Sequence, residues 1–135
     1  MESVTSPASL SLLIIDDDTV TCEVIGRIIA LKFSAITVYT ADSGRIGLEL
    51  CKMHKPGIVI TDITMPDMDG FQVAKEIKLI KADTQFIVLT GNSDENYLTM
   101  FREIGFADYM VKPINFGRMF ATIEKCCAEI LLQQK

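Results

Sequence analysis

Apolar residues fall in short blocks along this chain, and most blocks end abruptly in a polar or acidic residue. Residues 12–15, 58–60 and 86–89 are continuously apolar, as strands covered on both faces must be. The first run begins at Leu10 and stops at Asp16-Asp17-Asp18, the second leads into Asp62, and the third ends at Thr90. Residues 108–111 form a shorter run that ends at Lys112-Pro113. Residues 35–39 alternate, with Ile36 and Val38 on one side, which suits a half-exposed or edge strand.

Between these runs the period changes to that of a helix. Residues 19–33 place Val20, Val24, Ile28 and Leu31 on one face, with Asp18 as the N-cap. Asp42 or Ser43 starts a second helix running to about His54, which Gly44 and Gly47 weaken by about 1 kcal/mol each relative to Ala. Lys55-Pro56-Gly57 stops it. A third helix follows Gly70 to about Lys81, with Phe71, Ala74 and Ile77 at core spacing. Ser93 caps a fourth that ends at Ile104, and Gly105 fits its C-terminal cap. Asn115 caps the last, burying Phe116, Met119, Phe120, Ile123 and Cys127. Strands and helices alternate throughout. Short connections and right-handed crossovers then predict an α/β fold: a doubly wound, five-stranded parallel sheet flanked by five helices. Residues 1–9 are polar and read as a flexible N-terminal tail; residues 10–132 read as one domain.

Composition narrows the function classes. A chain of 135 residues with 49% hydrophobic and 23% charged residues is an ordinary globular domain. A net charge of −5 argues against direct nucleic-acid binding, which needs a basic surface. No apolar stretch reaches bilayer length, and the N-terminus lacks a basic n-region, so neither a membrane span nor a signal peptide is expected. Cys22, Cys51, Cys126 and Cys127 lack metal-ligand spacing and fall in predicted helices, as buried thiols of a reducing, cytoplasmic compartment do.

In a parallel sheet all carboxyl ends lie on one edge, where ligands bind. Asp16, Asp17, Asp62, Thr90 and Lys112 therefore converge from distant parts of the sequence. Three carboxylates together repel, and a hard divalent cation relieves them; Mg2+ suits such a site. Lys112 adds a fixed positive charge. Asp62 is then an oxygen nucleophile for a phosphoryl group, with Thr90 placed to donate a hydrogen bond and Gly91 leaving room. Asp18 reads as a helix cap, Asp67 and Asp69 as turn residues, His54 as a surface residue, and Met65 and Met68 as core or loop filling that could be exposed near the site.

The segments IIDDD, DITMPDMDG, VLTGN and GFADYMVKP, each at its expected strand end, resemble the response regulator receiver domain of two-component signalling, similar to the chemotaxis receiver. The resemblance covers about residues 10–132. It implies a flavodoxin-like sheet of order 2-1-3-4-5, with Asp62 phosphorylated. It also implies Mg2+ (or Mn2+) held by Asp17, Asp62 and the backbone carbonyl of Thr64, with Asp16 acting largely through water. Thr90 becomes the switch hydroxyl, Lys112 a phosphoryl contact ahead of a cis bond to Pro113, and Tyr109 the switch aromatic, a role weighed evenly against ordinary core packing. The implied partners are a sensor histidine kinase or a histidine phosphotransfer protein, a downstream protein target, and a second copy through the face of helix four, strand five and helix five. Catalysis is expected only for the domain's own phosphotransfer and autodephosphorylation. Phe106 and Ile114 depart from the family pattern near that face, and Thr64 and Asn92 stand where phosphoryl lifetime is tuned. Two other readings stand beside this one. A docking receiver independent of phosphorylation fits the same fold. An aspartate-nucleophile phosphatase wants a second Asp two positions after Asp62, where Thr64 stands.

Overall fold

The computed structural model describes residues 10–63, 65, 67–68, 70–91 and 95–133, with residues 95–98 described by backbone alone. The elements alternate strictly: β1 (Ser11–Ile15), α1 (Thr19–Lys32), β2 (Thr37–Ala41), α2 (Gly44–His54), β3 (Ile58–Asp62), α3 (Gly70–Ile80), β4 (Gln85–Thr90), α4 (Glu95–Ile104), β5 (Asp108–Val111) and α5 (Phe116–Gln133). The strands form one sheet in the order β2-β1-β3-β4-β5, and every pairing is parallel.

The continuous apolar runs are explained by two cores, one on each face. Successive side chains of a strand point to opposite faces. Leu12 and Ile14 of β1 enter the core beneath α1 and α5, while Leu13 and Ile15 enter the core beneath α2 and α3. Ile60 and Val59 of β3, and Ile87 and Val88 of β4, divide in the same way. The glycines of α2 serve this packing: a Cβ on Gly47 would lie 2.5 Å from Cδ1 of Ile15.

Three sequence expectations are corrected. In α1 the stripe Val20, Val24, Leu31 faces solvent, with Leu31 86% exposed, and Cys22, Ile25, Gly26 and Ile29 are buried instead. The helix is apolar nearly all round, so two overlapping stripes compete. The one with small residues wins because Gly26 permits close approach to the sheet, where a Cβ would stand 3.1 Å from the Thr40 methyl. In α5 the buried line is Met119, Ile123, Cys126 and Ile130 rather than the line through Cys127. The Phe116 and Phe120 rings lie half-buried on its flank, where Phe120 meets Phe33 edge-on at 5.9 Å. The second strand is β2 at 37–41, not 35–39. Its register is set by pairing Ser11 with Thr37 through Ile15 with Ala41, while Ile36 plugs the preceding turn and is buried. The expected fourth-helix cap, Ser93, lies outside the described residues. Asp18, Ser43 and Asn115 cap their helices by accepting bonds from Thr21 N (3.2 Å), Ile46 N (3.1 Å) and Arg118 N (3.0 Å).

Candidate functional site

The acidic ends of β1 and β3 meet as the parallel topology requires. Asp16 is fully buried. Its backbone N–H donates to Ala41 O at 3.1 Å, its Oδ1 accepts the Asp18 amide at 2.9 Å, and its Oδ2 accepts Lys112 Nζ at 2.9 Å. Asp62, the last residue of β3, is 8% exposed and accepts the same ammonium on Oδ2 at 3.2 Å. Asp17 is exposed. Asp16, Asp17 and Asp62 can each offer an oxygen, with all three within 4.8 Å of one another. One ammonium against three carboxylates leaves excess negative charge at a hydrophilic edge, and oxygen-only donors are what a hard divalent cation takes. The residues present therefore fit Mg2+.

Lys112 is held by the strand before it. Its N–H donates to Thr90 O at 2.8 Å, which carries the β4–β5 pairing one residue past β5, and its bond to Pro113 is cis. Burial lowers the affinity of its amine for a proton. The hydrogen bond to Asp16 and the charges of Asp62 and Asp16 together outweigh that, so its pKa is raised and the ammonium persists at neutral pH. Thr90 is buried at the end of β4, one position beyond Leu89, which pairs with Asp62.

The segment after Asp62 is tied down at several points. Ile63 N donates to Leu89 O at 2.9 Å, and Ile63 O accepts the Gly70 amide. Gly70 rests on the backbone of Asp62, since a Cβ there would fall 2.2 Å from Asp62 O. Met65 is buried and Met68 half-buried, so neither is an exposed methionine beside the site. Thr64, whose carbonyl the resemblance names as a ligand, lies outside the described residues, as do Asp69 and Asn92.

Tyr109 is half-buried on β5, with its ring edge-on to Phe106 at 6.0 Å and 84°. Sequence reading missed a group of contacts nearby. Arg118 of α5 donates from Nε to Asp108 Oδ2 at 2.9 Å and from its terminal nitrogen to Tyr109 O at 3.0 Å, and Thr122 Oγ1 donates to Asp108 at 3.1 Å. It also missed Asp67, which accepts two amides of α2. These bonds each join different elements, so no helical or strand period announces them. Burial pushes the thiols of Cys22 up to about 11 and of Cys51 and Cys126 up to about 12, and raises that of the half-buried Cys127, which disfavours the thiolate at neutral pH.

The family model of the response regulator receiver domain matches residues 12–124. The chain belongs to this family. The receiver is 32% identical over 114 residues to the cell cycle transcriptional regulator CtrA of Caulobacter vibrioides, a match covering 84% of this chain and 48% of that protein. It thus spans about half the length of the curated relatives it matches. Among solved structures, it superposes on the N-terminal domain of an uncharacterized protein from Wolinella succinogenes with a TM-score of 0.84 and 33% identity, covering 93% of this chain and 99% of that one. A response regulator receiver domain from Clostridium thermocellum gives a TM-score of 0.83 at 27% identity, covering 92% of this receiver and 98% of its own chain. The doubly wound fold and its strand order are thus those expected. Among the described residues, no helix is long and apolar enough to cross a membrane.

Proposed function

We propose that this receiver is a phospho-acceptor switch in which Asp62 takes a phosphoryl group from a phosphohistidine. The carrying observation is the Lys112 ammonium shared between buried Asp16 and Asp62, with Asp17 close by. In the transfer, a carboxylate oxygen of Asp62 attacks phosphorus, the P–N bond of the donor breaks, and the imidazole leaves with the electron pair and picks up a proton. Lys112 faces the incoming phosphoryl oxygens as a fixed cation, so it stabilises charge without reorganising. Mg2+, or Mn2+ in its place, held by Asp16, Asp17 and Asp62 and by the Thr64 carbonyl that family likeness adds, would neutralise phosphoryl charge. Asp16 serves a second purpose, holding Lys112 in place from beneath.

Phosphorylation adds charge and acceptor oxygens at the end of β3, beside the end of β4. Thr90 donates to one of those oxygens, and the rearrangement biases Tyr109 and the surface of α4, β5 and α5, where a target or a second copy docks. The donor is a sensor histidine kinase or a histidine phosphotransfer protein. The receiver turns over no external substrate beyond its own phosphotransfer and autodephosphorylation, and its four free thiols suit a reducing cytoplasm.

The test is incubation with a small phosphodonor such as phosphoramidate and Mg2+, followed by intact-mass measurement under conditions that preserve acyl phosphates. One phosphoryl group is expected on the wild type and none on Asp62→Asn. An unchanged wild-type mass, alongside a known receiver that is modified, overturns the proposal.

A further inference from the structure

Asp67, in the connection between β3 and α3, is bonded to α2. Asp67 accepts the Gly44 amide on Oδ1 at 3.1 Å and the Arg45 amide on Oδ2 at 3.0 Å. Ser43 accepts the Ile46 amide at 3.1 Å. The first three amides of α2 are thus all satisfied by side chains, two of them by a residue from the segment that follows the acceptor. The approach is close: a Cβ on Gly44 would stand 3.0 Å from Met68 Cβ and 2.8 Å from a Val73 methyl. Gly44 therefore does more than weaken its helix, because it lets the segment lie against the helix end.

A cap needs only one oxygen, and Ser43 already supplies a cap. Two oxygens on two successive amides fix an orientation as well as a distance. Asp67 pays some burial for this, yet the Arg45 and Gly44 amides hold its carboxyl below the usual carboxylate range. Upstream, the segment is fixed by Ile63 on β4 and by buried Met65. Asp67 is the downstream fixture, joined to a different element.

We propose that Asp67 is a positioning residue for the cation and phosphoryl site: by fastening its own point in the chain between β3 and α3 to the N-terminus of α2, it steadies the connection that follows Asp62, and it couples α2 to the occupancy of the site. This rests on the reading of Asp62 as the phosphoryl acceptor. Coupling is reciprocal. If Asp67 supports the cation, then the cation must in turn be felt at Gly44 and Arg45.

The test compares Asp67→Ala, Asp67→Asn and Ser43→Ala, with Mg2+ titrated against backbone amide resonances and thermal unfolding followed separately. Both alanine variants lose a bond at the same helix end, so both lower the melting temperature. Only Asp67→Ala is expected to weaken Mg2+ binding, by about fivefold or more, while Ser43→Ala stays within about twofold, below the usual coupling range. Asp67→Asn keeps one acceptor oxygen and should recover part of the loss. In the wild type, the Gly44 and Arg45 amides should shift along the Mg2+ titration. Equal Mg2+ affinity in the wild type and Asp67→Ala overturns the proposal, as does equal weakening by Ser43→Ala, or a wild type that binds no Mg2+. A wild type that binds Mg2+ in an Asp67-dependent way but takes no phosphoryl group overturns the phospho-acceptor reading alone.

Discussion

Replacing Asp62 by Asn should stabilise the cation-free receiver while abolishing its response to Mg2+. With oxygens within 4.8 Å of one another, the Asp16 and Asp62 carboxylates repel by at least about 3.5 kcal/mol at an effective dielectric constant of about 20. Asp17 is exposed, and it adds a smaller, screened share of the same sign. Against this, Lys112 attracts Asp62 across 3.2 Å by about 5 kcal/mol on the same scale. The charge terms nearly cancel, so desolvation decides. Asp62 is only 8% exposed, and holding a carboxylate out of water costs several kcal/mol that its partners must offset. Asn removes the charge, keeps an acceptor oxygen for Lys112, and fills the same volume. The expected net gain is about 1–2 kcal/mol, a rise in melting temperature of about 4–8 °C for a domain of this size. The assay is thermal unfolding of both proteins in EDTA and again in Mg2+. In saturating Mg2+ the order should reverse, since a cation at a hundred times its Kd adds about 2.7 kcal/mol to the protein that binds it. An Asn variant that melts below the wild type in EDTA, or that gains as much from Mg2+, refutes the reasoning.

Gly70→Ala should cost about 3 kcal/mol or more, the upper range for overpacking, because its Cβ would lie 2.2 Å from Asp62 O; urea unfolding measures this, and phosphoryl uptake should fall with it. Ile25→Ala should cost about 2–5 kcal/mol, whereas Leu31→Lys, on the exposed side of α1, should stay within about 0.5 kcal/mol; equal costs would restore the face suggested by periodicity. At Asp108, burial raises the carboxyl pKa but the Arg118 and Thr122 bonds outweigh it, so the folded value lies below 3.8. The stabilisation is therefore complete above that value and is lost as pH falls through the folded one. The melting-temperature gap between the wild type and Asp108→Asn should accordingly be open at pH 7 and close below about pH 3.8, the unfolded carboxyl value.

The site was legible because each strand announces its own end. Asp16, Asp62, Thr90 and Lys112 each break or follow an apolar run, and a parallel sheet aligns those ends without further information. The α1 face was not legible. Its apolar residues satisfy two helical stripes equally, and the choice falls to Gly26 and Cys22, whose small size matters only once the sheet is beneath them. Asp67 was readable as a turn residue and is one, but its work is done on amides 22 and 23 positions away. No window of sequence spans that bond. Arg118 is missed for a different reason: Asp108 is only 10 positions away but sits on β5 rather than on its own helix.

The Lys112–Asp16 bond joins residues 96 positions apart. They meet only when β1, β3, β4 and β5 are all in register, because β3 and β4 stand between the two strands that carry them. The surroundings of Asp62 are thus complete only when all four strands are in place. A nascent chain that has not yet made β5 carries Asp62 but no ammonium to serve it, and a chain whose last strand has peeled away is in the same condition. Under the proposed function, competence to take a phosphoryl group is therefore tied to completion of the fold.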